Sequence, residues 1–319
     1  MLAISFNIFD FIYIPLSINA FFSNIKSLQK ANENKYYLSE IIFNSIKDII
    51  NKENNIILDF DNVVKLQANR MYDFINDLND NNRNIILLNC NNIYENLSKY
   101  NKDGDNYYNN INYYKLAKLK CNDFNMSPIL IDYLHNQTID KSVIHCEDDW
   151  CYQYSSNVYS NLYIKIKNLF TDSNLLCLII FLLKEKINKD EVNFDYILCA
   201  SATGNAIATI LGIIYQKRVV YLENIGPKFR MHNNIVNKIN PNSKYIFIYD
   251  FISLGAEYNR TLIIVNIGNS SIQGAYGVSH YIDINRGKDS IKDDFIKYKS
   301  LFNINKNGQI YKCIVDMED

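Results

Sequence analysis

Tyr245 to Thr261 reads YIFIYDFISLGAEYNRT. An apolar run from Tyr245 to Tyr249 is followed by an acid, Asp250, and one glycine, Gly255, stands in a short loop before a helical segment. A short continuous apolar run bounded by a turn reads as a strand buried on both faces, as in a parallel sheet covered by helices. Ligands of open parallel sheets collect beyond the carboxyl ends of the strands. Backbone N–H groups at a helix N-terminus suit a phosphate, and a glycine lets the backbone come close to one. Asp250, at the strand's end, is placed to accept hydrogen bonds from the vicinal hydroxyls of a ribose. An ordinary strand–loop–helix unit of an α/β fold has the same local pattern.

Outward from this stretch the alternation continues. Spacing predicts helices at Leu175–Lys186, Ala206–Tyr215 and Arg260–Ile267, and strands at Tyr196–Ala200, Val219–Leu222 and within Gly274–Ile284. The first part of the chain alternates too. Apolar residues at Leu38, Ile41, Ile42, Ile46, Ile49 and Ile50 form a helical stripe. Asn55–Phe60 and Asn84–Asn89 read as strands, and Gln67–Leu78 and Ile93–Tyr100 as helices. The polar stretch 101–112 is the linker candidate. The fold class expected is therefore α/β with two domains: residues 1–105 with an apolar lead-in, a less regular connecting segment 106–150, and a parallel-sheet domain over 151–319.

Composition narrows the partners. The 319 residues carry 33 Lys plus Arg against 34 Asp plus Glu, a net charge of −1, so there is no basic excess for non-specific nucleic-acid binding. Seven cysteines, scattered from Cys90 to Cys313, are no disulfide framework and read as reduced thiols of a cytoplasmic protein. The apolar start lacks a basic region and is broken by Asp10, against the pattern of a secretory signal. Leu175–Leu183 is about half the length a bilayer requires and reads as a buried helix, so no membrane association is expected. His135, His145, Cys146 and Cys151 match none of the usual zinc spacings. Glu147, Asp148 and Asp149 read as a solvated turn, and Trp150 as packing. No cysteine or histidine sits in a motif that would activate a nucleophile.

The 245–261 stretch resembles the phosphoribosyl-diphosphate (PRPP) motif of type I phosphoribosyltransferases: apolar residues, acids, two apolar residues, then a small phosphate loop. Three more pieces resemble that family in matching order. Cys151–Phe170 is similar to the N-terminal segment of its orotate subgroup. Phe194–Gly212 (FDYILCASATGNAIATILG) resembles the family's strand, diphosphate loop and following helix, and Val219–His232 (VVYLENIGPKFRMH) falls where it carries a mobile basic loop. The resemblance covers roughly residues 150–290. It implies that Asp250 meets the ribose, with Tyr249 beside it. It also implies that Ser253, Leu254, Gly255 and Ala256 wrap a 5′-phosphate, and that Ala202, Thr203, Gly204 and Asn205 face the diphosphate. Lys228 and Arg230 would stabilise a departing diphosphate, and Mg²⁺ would accompany PRPP, with Asp250 as its protein contact.

Departures from the family pattern fall on the groups that carry charge. Tyr249 replaces the first of two adjacent acids, Ala256 a hydroxyl residue, and Asn205 a second glycine. Tyr221-Leu222 replaces an Arg-Lys pair, and Ser156-Asn157 a Ser-Gly element. Ser155 lies near the place of an orotate-binding lysine. Glu257 follows the phosphate loop, where a carboxylate repels a phosphate unless the helix turns it away. The expectation is a divergent phosphoribosyltransferase-like protein that binds PRPP or a nucleotide, with weak or lost transfer of ribose 5-phosphate to a nitrogen base, acting as a ligand sensor. An active phosphoribosyltransferase of nucleotide metabolism, and an interaction protein with a vestigial site, are the alternatives. The orotate subgroup also implies a homodimer.

Asn55–Tyr100 resembles a STAS-type domain, the fold of anti-sigma-factor antagonists: a strand ending in Asp59, a Val-bearing turn, a helix, then a strand and a short helix. The resemblance implies a protein-interaction module. Regulatory members are phosphorylated at a hydroxyl residue that starts the helix, but here that helix starts Gln67-Ala68-Asn69.

Overall fold

The structure is a computed structural model that describes residues 3–23, 36–37, 40–60, 63–65, 84–89, 126–145, 152–155, 158–160, 162–222, 238–252, 256–280 and 298–303. The chain divides into two compact units, Met1–Pro128 and Ile129–Asp319.

In the first unit, β1 (Phe6–Ile8) and β2 (Phe11–Pro15) form an antiparallel hairpin. Then β4 (Asn55–Asp59) runs parallel to β2, and β6 (Asn84–Leu88) parallel to β4, giving the order β1-β2-β4-β6. A two-residue strand β3 (Tyr36–Tyr37) pairs separately with β5 (Val63–Lys65). Helices α1 (Leu16–Ser23) and α2 (Glu40–Lys52) belong to this unit. Of the expected stripe on α2, Ile42, Ile46 and Ile50 are buried and Ile49 partly so, joined by Phe43, whereas Ile41 is exposed and Leu38 lies outside the described residues. The apolar start is more than a lead-in, because it supplies β1, β2 and α1. It was hard to read because buried strands and a buried helix run together there without polar punctuation.

Two buried polar groups brace this unit. Asn19 accepts from the Ile4 N–H and donates to the carbonyls of Ile4 and Pro15. Asp59, 4% exposed, accepts from the Tyr13 hydroxyl at 2.6 Å and from Asn89 Nδ2 at 2.8 Å. A buried carboxylate is tolerable only with such donors. Gln67–Leu78, Ile93–Tyr100 and the 101–112 linker lie outside the described residues.

The division at Pro128 falls within the first turn of α3 (Ser127–Ser142), a helix in the segment expected to be irregular, and the rest of α3 belongs to the second unit. Strands β7 (Val143–His145) and β10 (Leu162–Ile164) pair antiparallel, as do β8 (Tyr152–Ser155) and β9 (Val158–Ser160). A 3₁₀ turn (Ile166–Thr171) leads into α4 (Ser173–Lys189). Asp172 caps α4 by accepting from the N–H groups of Asn174 and Leu175. The run Leu178–Leu183 is buried all round, as expected for an interior helix. Among the described residues no helix is long and apolar enough to cross a membrane.

The main sheet is wholly parallel, with β11 (Tyr196–Cys199), β12 (Arg218–Tyr221), β13 (Lys244–Ile252), β14 (Ser271–His280) and β15 (Tyr298–Asn303) in the order β12-β11-β13-β14-β15. Helices α5 (Ala202–Tyr215) and α6 (Ala256–Ile267) follow β11 and β13. The second unit is thus an α/β domain on a parallel sheet. Side chains of β13 alternate between faces. Tyr245, Phe247 and Tyr249 join one core cluster with Tyr258 and Val265 of α6. The Tyr249 ring lies directly over Gly277, where a Cβ would fall 2.1 Å from its Cδ2.

Candidate functional site at the strand switch

The chain leaves β11, adds β12 on one side, and returns to add β13 on the other. The carboxyl ends of β11 and β13 therefore mark a topological switch point, the place where open α/β sheets bind ligands. The two segments singled out by sequence meet here.

Residues 202–205 are not a free loop. They form the first turn of α5, four residues earlier than the spacing indicated. The reason is Ser201, which the sequence reading passed over. Its Oγ accepts from the Gly204 N–H at 2.9 Å, the N-cap arrangement that satisfies an otherwise orphaned donor. The signal was present, a serine directly before the helical pattern. Gly204 is needed for a close approach. A Cβ there would lie 2.7 Å from Ser201 Oγ and 3.2 Å from the Ile248 carbonyl oxygen, so α5 starts hard against the backbone of β13. Asn205 is drawn back to the strand end, its Oδ1 accepting from Cys199 Sγ at 3.5 Å. Ala202 is exposed and Thr203 partly buried, and among the described residues their N–H groups make no hydrogen bond.

Asp250 is partly buried, and its Oδ1 accepts from the Ser201 hydroxyl at 2.8 Å. Its Oδ2 has no hydrogen-bond partner among the described residues. Tyr249 departs from expectation. It is 1% exposed, and its side chain lies on the α6 face of the sheet, opposite to Asp250. Strand alternation imposes this, so the Tyr249 ring neither fills nor lines the crevice. Ala256 heads α6. Ser253, Leu254, Gly255, Lys228 and Arg230 lie outside the described residues, as do Cys146 and Cys151.

Electrostatically the crevice is acidic. Burial, then the charge of Asp250, push the Glu257 carboxyl up to about 7, against a smaller opposing pull from Arg260. Burial, with a further contribution from Glu257, pushes the Cys199 thiol up to about 12, which keeps it an inert thiol. Lys238, another residue the sequence reading did not single out, donates from Nζ to the Tyr221 carbonyl at 3.3 Å and so brings an ammonium to the carboxyl end of β12. Leu222, read as a replacement for a loop cation, is fully buried in the core cluster. Among the described residues no three His, Cys, Asp or Glu side chains gather as a metal site.

No protein-family model matches the chain, and no curated protein matches it. Several solved structures are similar in fold. Adenine phosphoribosyltransferase from Saccharomyces cerevisiae is 15% identical, covering 54% of this chain and 99% of its own, with a TM-score of 0.40. Adenine phosphoribosyltransferase from Leishmania donovani is 12% identical over 56% of this chain and 82% of its own, with a TM-score of 0.43. Orotate phosphoribosyltransferase from Mycobacterium tuberculosis H37Rv is 13% identical over 55% of this chain and 97% of its own, with a TM-score of 0.40. Each likeness spans about half of this chain.

Proposed function

We propose that the second unit binds a phosphoribosyl compound, PRPP or a nucleotide, at the crevice between β11 and β13, and that the protein senses this ligand more than it turns it over. The observation that carries the reading is the meeting of Asp250 with the N-terminus of α5 across the switch point. A carboxylate oxygen suited to sugar hydroxyls and N–H groups suited to phosphate stand at one crevice. Ser253, Leu254, Gly255 and Ala256 would hold the 5′-phosphate, Ala202 through Asn205 the diphosphate, and Lys228 and Arg230 would approach from their loop. In this structure Lys238 adds a candidate cation. Mg²⁺ fits such a site only as a companion of the ligand. It prefers oxygen ligands and is commonly held by one or two carboxylates plus substrate phosphates, and Asp250 supplies one carboxylate.

Transfer of ribose 5-phosphate to a nitrogen base requires stabilisation of developing charge, and loss of one such group typically costs about 10²–10³ in rate. With Tyr249 in the core and no second acid beside Asp250 on the strand, weak or lost transfer follows. An active enzyme of nucleotide metabolism is the competing form of this reading. We read the first unit as a protein-interaction module. Its hairpin followed by two parallel strands is compatible with a STAS-like module that relays ligand state to a protein partner. We place the protein in the cytoplasm, as a homodimer.

A second reading, an interaction protein with a vestigial site, is favoured by one observation, the Glu257 carboxyl close enough to Asp250 for their charges to interact. One experiment separates the two. Calorimetric titration with PRPP and Mg²⁺ is expected to show binding that disappears in Asp250→Ala. Absence of heat at millimolar ligand, with the protein folded, overturns the ligand-binding reading in favour of the vestigial one.

A further inference from the structure

The Ser201 side chain makes two hydrogen bonds that run in one direction. The Gly204 N–H donates to its oxygen at 2.9 Å, and its own hydroxyl proton goes to Asp250 Oδ1 at 2.8 Å. A hydroxyl has one proton to give, so with Oγ occupied as acceptor by the helix this proton is directed at the carboxylate. The two partners are 49 residues apart in sequence and belong to different strand–helix units. Gly204 sets how closely those units approach, because a Cβ there would strike Ser201 Oγ and the backbone of β13. Ser201 then sets how Asp250 is turned. A carboxylate on a strand end has a rotamer choice and two equivalent oxygens. Here Oδ1 is held by the Ser201 hydroxyl, and Oδ2 has no hydrogen-bond partner among the described residues.

We propose that Ser201 is the positioning residue of the crevice: it locks the Asp250 carboxylate to the N-terminus of α5, so that the sugar hydroxyls and the anionic group of one ligand are received at a fixed separation. The inference rests on the phosphoribosyl-ligand reading and adds a residue to it. Ser201 touches no ligand in this role. It acts through Asp250, and it occupies one of the lone-pair sites of that carboxylate, which fixes how the carboxylate is turned. A sugar hydroxyl or a cation thus meets Oδ2 in a predetermined direction. This is preorganisation, which improves affinity by reducing what must be ordered on binding.

The test uses the full chain, with PRPP and Mg²⁺ as the probe, in calorimetry run beside thermal melts. Ser201→Gly is the informative variant, because glycine caps a helix nearly as well as serine but has no hydroxyl for Asp250. The expected result is a loss of affinity of roughly ten- to a hundredfold, as for a hydrogen bond to a charged group, with little change in melting temperature. Ser201→Thr keeps the hydroxyl and is expected to restore binding to within about threefold. A capping residue that mattered only for the helix would not give this split between affinity and stability. Should Ser201→Gly melt early, Ser201→Asp keeps a capping acceptor but has no proton to give, and is expected to lose affinity while folded. If the parent protein binds and Asp250→Ala does not, but Ser201→Gly or folded Ser201→Asp binds as the parent does, this inference is overturned and the site reading stands. If the parent protein itself does not bind, the site reading is overturned and the inference with it.

Discussion

At the scale of single residues, Glu257 makes the sharpest statement. Its folded-state value of about 7 lies above that of an ordinary exposed carboxylate. The folded chain therefore holds this proton more tightly than the unfolded chain does. The stabilisation is fully present below the ordinary carboxylate range and is lost as pH rises through about 7. Glu257→Gln removes the charge but keeps the shape. Its melting temperature is expected to exceed that of the parent protein at pH 8, with a smaller difference or none at pH 5. An equal shift at both pH values would show that the carboxyl is not held in its protonated form. The sequence flagged Glu257 as an anion-repelling neighbour of the phosphate loop, which is half of its behaviour. The other half depends on burial, which a one-dimensional pattern does not carry. Ser201 was missed for a related reason. Its capping signal is local, but the bond to Asp250 exists only once two distant strands are paired.

At the scale of elements, the β1–β2 hairpin contains a local conflict. Its turn places Phe9 at a φ of 54° with 89% of its surface exposed. A bulky side chain in the left-handed region is strained, while asparagine tolerates it. Phe9→Asn is expected to stabilise the protein by about 1 kcal/mol in chemical denaturation, since little burial is lost and strain of this kind typically costs about 1–3 kcal/mol. A destabilised variant would mean that the ring has a contact that the exposure hides. Elements with strong periodicity or long apolar runs were legible in the sequence: α2, α4, β11, β13 and β14 all appear within a few residues of where spacing placed them. The start of α5 and all of α3 were not. The first depends on a cap and a glycine packed against another strand, and the second buries only a narrow stripe through Leu130, Leu134, Thr138 and Ser142, two of them polar.

At the scale of the whole molecule, each unit carries its own buried core and its own polar braces, the buried Asn19 and Asp59 in the first and the partly buried Ser201–Asp250 pair in the second. Scanning calorimetry is expected to resolve two transitions. PRPP with Mg²⁺ at about a hundred times its dissociation constant should stabilise only the second unit, by about 2.7 kcal/mol. A shift of both transitions would mean that the ligand is felt beyond the unit that holds its crevice. The order β12-β11-β13-β14-β15 also has a consequence for the chain as it is synthesised. β11 is made first of the five but lies inside the sheet, and its second neighbour, β13, is complete only at Ile252. Until that strand has left the ribosome, Ser201 has no carboxylate to meet. The crevice is therefore a late product of translation, and a nascent chain halted before residue 244 would carry two of the five strands and lack the Asp250 carboxylate.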